Sequence, residues 1–302
     1  MNILVIGGDS RQIYCAGRLA LIEDVNVFTL GLDEDGSGLK QIKGGSKGSF
    51  WETSPMNIAS SFPGFDAVIL PYLSTKDGLI VSKRSVIPFS EIKGLIKPGT
   101  AVFAGRLTEG ETGLLVELGA KVYDWFSDER LTLSNSRLTA EGAAQIIIRR
   151  SKRSLGGSKL LILGWGRLAR ECSELFLRIG AGVSVWARRS ESLKQAEKSG
   201  CTAIPELMSA LSDADIVVST VPARILGEAE LSSLKKDSWI LELASSPYSF
   251  DPSLARLMGI CYSIEPGIPG RFTPESAGAA MAESVISRLG LDLNSPDEGR
   301  EH

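Results

Sequence analysis

Histidine is almost missing from this chain: there is one in 302 residues, His302, and it stands last. A Ser-His-Asp triad, a Cys-His pair or a histidine zinc site would have to draw on that terminal residue, and chain ends are usually loose. No metal site is expected. Cysteine is scarce as well. Cys15, Cys172, Cys201 and Cys261 stand far apart with no C-x-x-C spacing, each among apolar residues. They read as reduced, packed thiols of a cytoplasmic protein. No apolar run approaches the ~20 residues that span a bilayer, so no membrane association is expected. The first apolar stretch, Ile3–Ile6, is too short and lacks the basic flank of a signal peptide. Positive charge is not in excess either. Lys+Arg is 33 against 36 Asp+Glu, a net charge of −3, which offers no footprint for nucleic acid.

What is present is alternation. Short β-branched runs are expected as strands at Asn2–Ile6, Val25–Leu30, Ala67–Leu70, Thr100–Ala104 and Lys121–Tyr123. A second set follows at Lys159–Leu163, Gly182–Trp186, Ile216–Thr220, Trp239–Leu243 and Cys261–Ile264. Helical patterns or loops separate them. This is the signature of an α/β protein with parallel sheets and helices on both faces. Five strands in each half predict two doubly wound Rossmann-like domains, with a C-terminal helix after the second. The expected boundary lies near Ser151–Ser158. Residues 1–150 then form a flavodoxin-like substrate domain, and residues 151–302 an NADP-binding Rossmann domain. The basic run Arg149–Arg153 reads as a solvated helix end. Gly36–Gly48, rich in Gly, Ser and Lys, reads as an exposed loop, and the tail from Asn294 as frayed.

The most specific motif begins in the sixth strand. Lys159–Leu163 runs directly into Gly164-Trp165-Gly166-Arg167-Leu168-Ala169, and a helical stripe of Leu168, Cys172, Leu175, Phe176 and Ile179 follows. Gly180 stands where a helix C-terminus is capped. Strand, G-x-G-x-x-A turn and helix together are the dinucleotide fingerprint. Gly164 permits the tight turn, Gly166 lets the backbone approach a pyrophosphate, and Ala169 lets the helix pack on the strand. The pyrophosphate would rest on free N–H groups of the helix N-terminus. Past the next strand, where an NAD site usually has an acidic residue for the ribose 2′-hydroxyl, this chain has Arg188, Arg189 and Ser190. Guanidinium groups suit a 2′-phosphate, so NADP is the expected cofactor. Thr220, Val221 and Pro222 after one later strand, and Ala244 after another, are expected to line the same crevice.

Other strand ends carry the remaining candidates. Asp9 and Arg11 follow the first strand, and Ser74 and Arg106 follow two others. Thr139 and Glu141 are expected to open the helix that leads into the second domain, either as cap and dipole partner or as substrate contacts. A Pro- and Gly-rich loop, Pro266–Arg271, precedes a helix from Pro274 to about Leu289, with Thr273 as its expected N-cap. Arg11, Arg106 and Arg271 are candidates for binding carboxylates, with Ser74 and Thr139 beside them. Asp9 and Glu141 are candidates for accepting a proton.

Taken in order, Gly7-Gly8-Asp9-x-Arg11, Thr139-Ala140-Glu141-Gly142-Ala143, Gly164-Trp165-Gly166-Arg167, Ala187-Arg188-Arg189-Ser190, Thr220-Val221-Pro222-Ala223, Leu243-Ala244-Ser245-Ser246-Pro247 and Pro266-Gly267-Ile268-Pro269-Gly270-Arg271 resemble the dipicolinate synthase family of spore-forming bacteria, in the first of its two subunits. The family typically has Asp where this chain has Glu242, and Gly-Gly where it has Tyr248-Ser249. The resemblance implies an NADP-linked oxidoreductase on a branch of the lysine pathway. It implies oxidation of dihydrodipicolinate, or its hydrated precursor, to dipicolinic acid with a flavoprotein-like second subunit, in the mother cell during sporulation. The substrate would be a small dicarboxylate, and homo-oligomerisation stays open. Two alternatives remain at this point. One is an NADP-dependent 2-hydroxy-acid dehydrogenase, which would need a histidine acid/base. The other is a non-enzymatic NADP-binding scaffold or sensor subunit.

Overall fold

The computed structural model describes residues 1–32, 39–42, 50–51, 64–82, 86–151 and 154–292. All ten expected strands form, with ends within one residue of expectation. They belong to two compact units, Met1–Ser134 with Thr273–His302, and Asn135–Phe272.

In the first unit, strands β1 (Asn2–Ile6), β2 (Asn26–Leu30), β3 (Leu39–Ile42), β4 (Phe50–Trp51), β5 (Ala67–Ile69), β9 (Ala101–Ala104) and β10 (Lys121–Asp124) make one sheet in the order β10-β9-β5-β1-β2-β3-β4. Five of these are parallel; β3 and β4 add antiparallel at the edge beyond β2. The sheet is therefore mixed rather than wholly parallel. Leu39–Ile42 is a strand inside the stretch expected to be loop; the rest of Gly36–Gly48 lies outside the described residues. Strands β6 (Thr75–Lys76), β7 (Leu79–Ile80) and β8 (Ile87–Pro88) form a small antiparallel sheet that the sequence pattern did not signal. Strand order reverses between β1 and β5, the flavodoxin-like arrangement.

Helix α1 (Ser10–Leu19) follows β1, and α2 (Glu109–Glu117) follows β9. The long helix α3 (Glu129–Ser151) belongs to the first unit as far as Ser134 and to the second beyond it. The domain boundary thus falls inside α3, ahead of the expected Ser151–Ser158. The basic end of α3 is an exposed helix end as expected, with Lys152 and Arg153 outside the described residues; Arg150 also lies over the Trp239 ring at 4.5 Å and donates to the Tyr262 carbonyl. Thr139 and Glu141 do not open a helix. Asp128 does, accepting the Leu131 N–H at 3.1 Å, while Thr139 Oγ1 donates to the Asn135 carbonyl one turn back.

The second unit holds β11 (Lys159–Leu163), β12 (Gly182–Trp186), β13 (Thr202–Ala203), β14 (Ile216–Ser219), β15 (Trp239–Glu242) and β16 (Cys261–Ile264), all parallel, in the order β13-β12-β11-β14-β15-β16. Numbered within the unit this is 3-2-1-4-5-6, the Rossmann order. Helices α4 (Arg167–Arg178), α5 (Ser190–Lys198), α6 (Leu207–Asp213), α7 (Glu228–Ser232), α8 (Pro252–Leu257) and α9 (Ile268–Phe272) complete it. The Pro- and Gly-rich stretch expected as a rigid loop is partly this last short helix.

The C-terminal helix α10 (Pro274–Leu289) corrects the domain assignment. It belongs to the first unit, where Met281, Ala282 and Val285 join Ile3, Val5, Cys15 and Leu19 in one apolar core. Gly278 makes this possible. A Cβ there would stand 2.4 Å from the Arg11 carbonyl and 2.9 Å from the Cys15 amide, so only glycine lets α10 lie this close to α1. The expected Thr273 cap is not made: its Oγ1 is buried without a hydrogen-bond partner, and Pro274 alone sets the start of the helix. Cys15, Cys172 and Cys201 are buried as expected, but Cys261 is exposed, because β16 is an edge strand. Burial pushes the Cys15 thiol up to about 12, which suits packing rather than reactivity.

Candidate functional site

Parallel strands bring their carboxyl ends to one edge of a sheet, and ligands collect where strand order reverses. In the second unit that point lies between β11 and β14. Gly164 turns there with φ +100°. A Cβ on it would meet Val221 Cγ2 at 2.8 Å and Thr220 Oγ1 at 2.9 Å, so the turn requires glycine. Thr220 Oγ1 donates to the Leu163 carbonyl at 2.8 Å and ties the two strand ends together. Arg167 and Leu168 form the first turn of α4; Ala169, Cys172 and Phe176 are buried beneath it. Gly180, at φ +89°, ends the helix as expected.

The residues fit a dinucleotide. Gly166 is the N-cap of α4 and brings no side chain to cap it. Open space surrounds the position of a Gly166 Cβ, as an approaching pyrophosphate needs. A cleft of about 540 Å³ opens here, lined by Gly164, Trp165, Gly166, Trp186, Ala187, Arg188, Arg189, Ser192 and Val221. Trp165 Nε1 is a buried donor without a partner at this cleft. Arg188 and Arg189 stand at the carboxyl end of β12, and Ser190 begins α5, whose Arg189 N-cap makes no side-chain capping bond. The structure thus brings the fingerprint glycines, Trp165, Val221 and both arginines around one cleft. Ser192, which also lines it, was not expected from sequence, though its place two residues into the helix after Ser190 was a usable signal. Pro222 is exposed, and Ala244 lies at the end of β15, its amide held by Glu242.

A larger omission is Glu242 itself. It is wholly buried, and its carboxylate accepts from the amides of Ala244 and Ser249 and from Ser249 Oγ. Burial pushes its carboxyl above the ordinary range, while the hydrogen bonds from Ser249 and Ala244 pull the other way. A Glu inside an apolar strand, Trp-Ile-Leu-Glu-Leu-Ala, was the available signal. Arg271 does not stand free. Its Nη1 is 2.6 Å from Glu265 Oε2, and the guanidinium lies over the Phe272 ring. Glu265 is held below the ordinary range: hydrogen bonds from Ser263 and Arg271 outweigh its burial. Glu141 is half-exposed and pairs with Arg137 at 3.6 Å along the helix.

In the first unit, Asp9, Arg11, Ser74 and Arg106 all follow parallel strands at the carboxyl edge. Asp9 caps α1 and is forked by Arg11. Ser74 is buried; its Oγ donates to the Pro71 carbonyl and accepts the Gly105 amide, both at 2.8 Å. Arg106 is exposed, holds the left-handed φ of +54°, and lies over the Phe126 ring at 5.1 Å. Arg11 lies over Tyr72 at 5.6 Å, and Tyr72 packs on Phe126 with ring centroids 4.7 Å apart. Two guanidinium groups are thus mounted on one aromatic pair. No cluster of metal-ligating side chains occurs among the described residues, and none of their helices is long and apolar enough to cross a membrane.

Comparison with known proteins agrees with this geometry. Residues 130–255 match the family described as D-isomer specific 2-hydroxyacid dehydrogenase, NAD binding domain. The first subunit of dipicolinate synthase from Bacillus subtilis (strain 168) is 28% identical over 307 residues, covering 99% of each chain. The crystal structure of the corresponding dipicolinate synthase chain from Bacillus subtilis superposes with a TM-score of 0.78 at 27% identity, covering 96% of each chain. That of its counterpart from Bacillus halodurans gives the same TM-score of 0.78 at 24% identity, covering 95% of this chain and 97% of the other. Residues 130–255 are thus similar to a dehydrogenase nucleotide-binding domain, and the chain is similar over nearly its whole length to the first subunit of dipicolinate synthase.

Proposed function

We propose that this chain is an NADP-dependent oxidoreductase that converts dihydrodipicolinate, or its hydrated precursor, to dipicolinic acid. Similarity over the whole length to the first dipicolinate synthase subunit supports the reaction class. The observation that carries the choice of NADP is the pair Arg188 and Arg189, which line the cleft from the end of β12. Guanidinium forks match a 2′-phosphate, and the residues lining the cleft include no carboxylate for a 2′-hydroxyl.

A bound nicotinamide would supply the acceptor for the hydride that leaves a ring carbon of the substrate. The chain's own residues hold both partners and accept the proton. Gly164, Trp165, Gly166, Arg167 and Leu168 receive the pyrophosphate, and Arg188, Arg189 and Ser190 the 2′-phosphate. Thr220, Val221, Pro222 and Ala244 flank the nicotinamide end. Arg11 and Arg106 are assigned to the carboxylates of the substrate, because rings below them fix both guanidinium planes. Ser74, Thr139 and Arg271 are assigned as further substrate contacts. Of the two proton acceptors, Glu141 is the freer, since Asp9 has both oxygens on Arg11. Aromatisation lowers the demand for a strong base. That fits a chain whose one histidine is its last residue, and it weighs against a histidine-dependent 2-hydroxy-acid dehydrogenase despite the family match of the second unit.

The curated relative is named as one subunit of its enzyme, and by analogy a second completes this one. We assign that second subunit a flavoprotein-like character and place the reaction in the mother cell during sporulation. The purified chain, alone and with such a partner, should form NADPH and pyridine dicarboxylate in equal amounts. Nucleotide binding without turnover in either case would favour a scaffold or sensor role.

A further inference from the structure

Glu242 is the one fully buried carboxylate among the described residues, and the roles assigned above leave it without one. It ends β15. Its Oε1 accepts the Ala244 amide at 3.0 Å; its Oε2 accepts the Ser249 amide at 2.9 Å and Ser249 Oγ at 2.5 Å. These bonds close the loop from Leu243 to Ser249 upon its own strand. The fastening continues. Ser249 is buried, and its carbonyl accepts the amides of Ile225 and Leu226 at 2.9 and 2.8 Å. The loop after β14 is therefore tied to the loop after β15 through Ser249. On the neighbouring strand Ser219 is the register partner of Glu242, and its hydroxyl is buried as well.

Three donors converge on two oxygens, so the position calls for a group that accepts at both. An amide places an N–H against a backbone N–H at one of them. Burial makes such a mismatch costly. Both loops leave the sheet on the β14–β15 side of the reversal point, whereas Arg188 and Arg189 stand on the β12 side. A dinucleotide crossing that point puts its two halves on opposite sides.

We propose that Glu242 is a positioning residue that acts through Ser249 to hold the two loops against the nicotinamide half of the nucleotide, without acting on the adenine half. The proposal rests on the nucleotide assignment above and deepens it. It is tested on the full chain with two probes: NADPH, and adenosine 2′,5′-bisphosphate, which lacks the nicotinamide half. In Glu242→Gln, affinity for the bisphosphate should stay at the wild-type value. The additional affinity for NADPH should fall by about tenfold or more, and the fluorescence change of the bound nicotinamide should be lost. Amide exchange at Ala244, Ser249, Ile225 and Leu226 should quicken. Ser249→Ala keeps the carboxylate and both amide donors, so it should show the same pattern with smaller amplitude; it carries the test if Glu242→Gln does not fold. Equal losses for both probes would mean general damage and would overturn the proposal, as would unchanged NADPH affinity and exchange. A wild-type chain that binds neither probe would instead sink the nucleotide reading, and this proposal with it.

Discussion

Arg11 forks onto Asp9: Nε lies 2.9 Å from Oδ1 and Nη2 lies 2.9 Å from Oδ2, two residues apart at the mouth of α1. The same carboxylate accepts the Arg11 amide at 3.0 Å, so one side chain both caps the helix and aims a guanidinium across Tyr72. Asp9→Ala removes cap and fork together and should cost about 1–2 kcal/mol; Asp9→Asn keeps a capping oxygen and should cost clearly less. Denaturant unfolding of the two variants checks this. Equal losses would show that the cap contributes nothing.

Gly278 tests the placement of the last helix. Its Cβ position lies 2.6 Å from Tyr14 Cβ and against the α1 backbone, which cannot retreat without moving the core of the first unit. Gly278→Ala should destabilise by about 1–3 kcal/mol. The loosening should appear as faster amide exchange in β1 and α1, with β11 and β14 unchanged. Exchange confined to the second unit would return α10 to the domain the sequence suggested.

Two aspartates set the acid limit of the first unit. Asp66 is held below its ordinary 3.8, first by the Asn2 amide and then, against the opposing effect of its burial, by Lys97. Burial raises Asp128, but the Ser284 hydroxyl and the Leu131 and Arg130 amides outweigh it and leave it low. A depressed carboxyl contributes stability above its unfolded value and loses it as pH falls through the folded one. Stability of the first unit should therefore decline below about pH 4. Ser284→Ala should lessen Asp128's share and flatten that decline. Unfolding curves across acid pH measure it, and an unchanged slope would remove Asp128 from the explanation.

Gly164→Ala tests the turn at the head of the cleft. A φ of +100° and a contact of 2.8 Å with Val221 leave no room for a methyl group. Nucleotide affinity should fall by about tenfold or more, with a measurable loss of stability. Wild-type affinity would mean that the pyrophosphate does not rest on this turn.

Much of the fold was legible because buried parallel strands read as short apolar runs between helical patterns, and each expected strand lies within a residue of its place. Three things were not legible, each for a physical reason. The first unit takes Thr273 onward because Gly278 permits a close approach between helices far apart in sequence, and a single glycine does not announce its partner. The domain boundary sits inside α3, since an unbroken helix has no linker composition to betray it. The small β6–β8 sheet consists of two-residue strands, too short for any period to register. At the site, the fingerprint glycines and Arg188 and Arg189 were readable because spacing alone places them. Glu242 was not, because its role depends on Ser249 folding back seven residues later.

The assignment of the cleft is tested most directly by calorimetric titration of the purified chain with NADPH and NADH. NADPH should bind more tightly by about 1.4 kcal/mol or more, a tenfold preference, and replacing Arg188 and Arg189 by Ala should abolish the difference while leaving NADH affinity nearly unchanged. Equal binding of the two nucleotides, or tighter binding of NADH, would contradict the role given to the two arginines and with it the assignment of NADP.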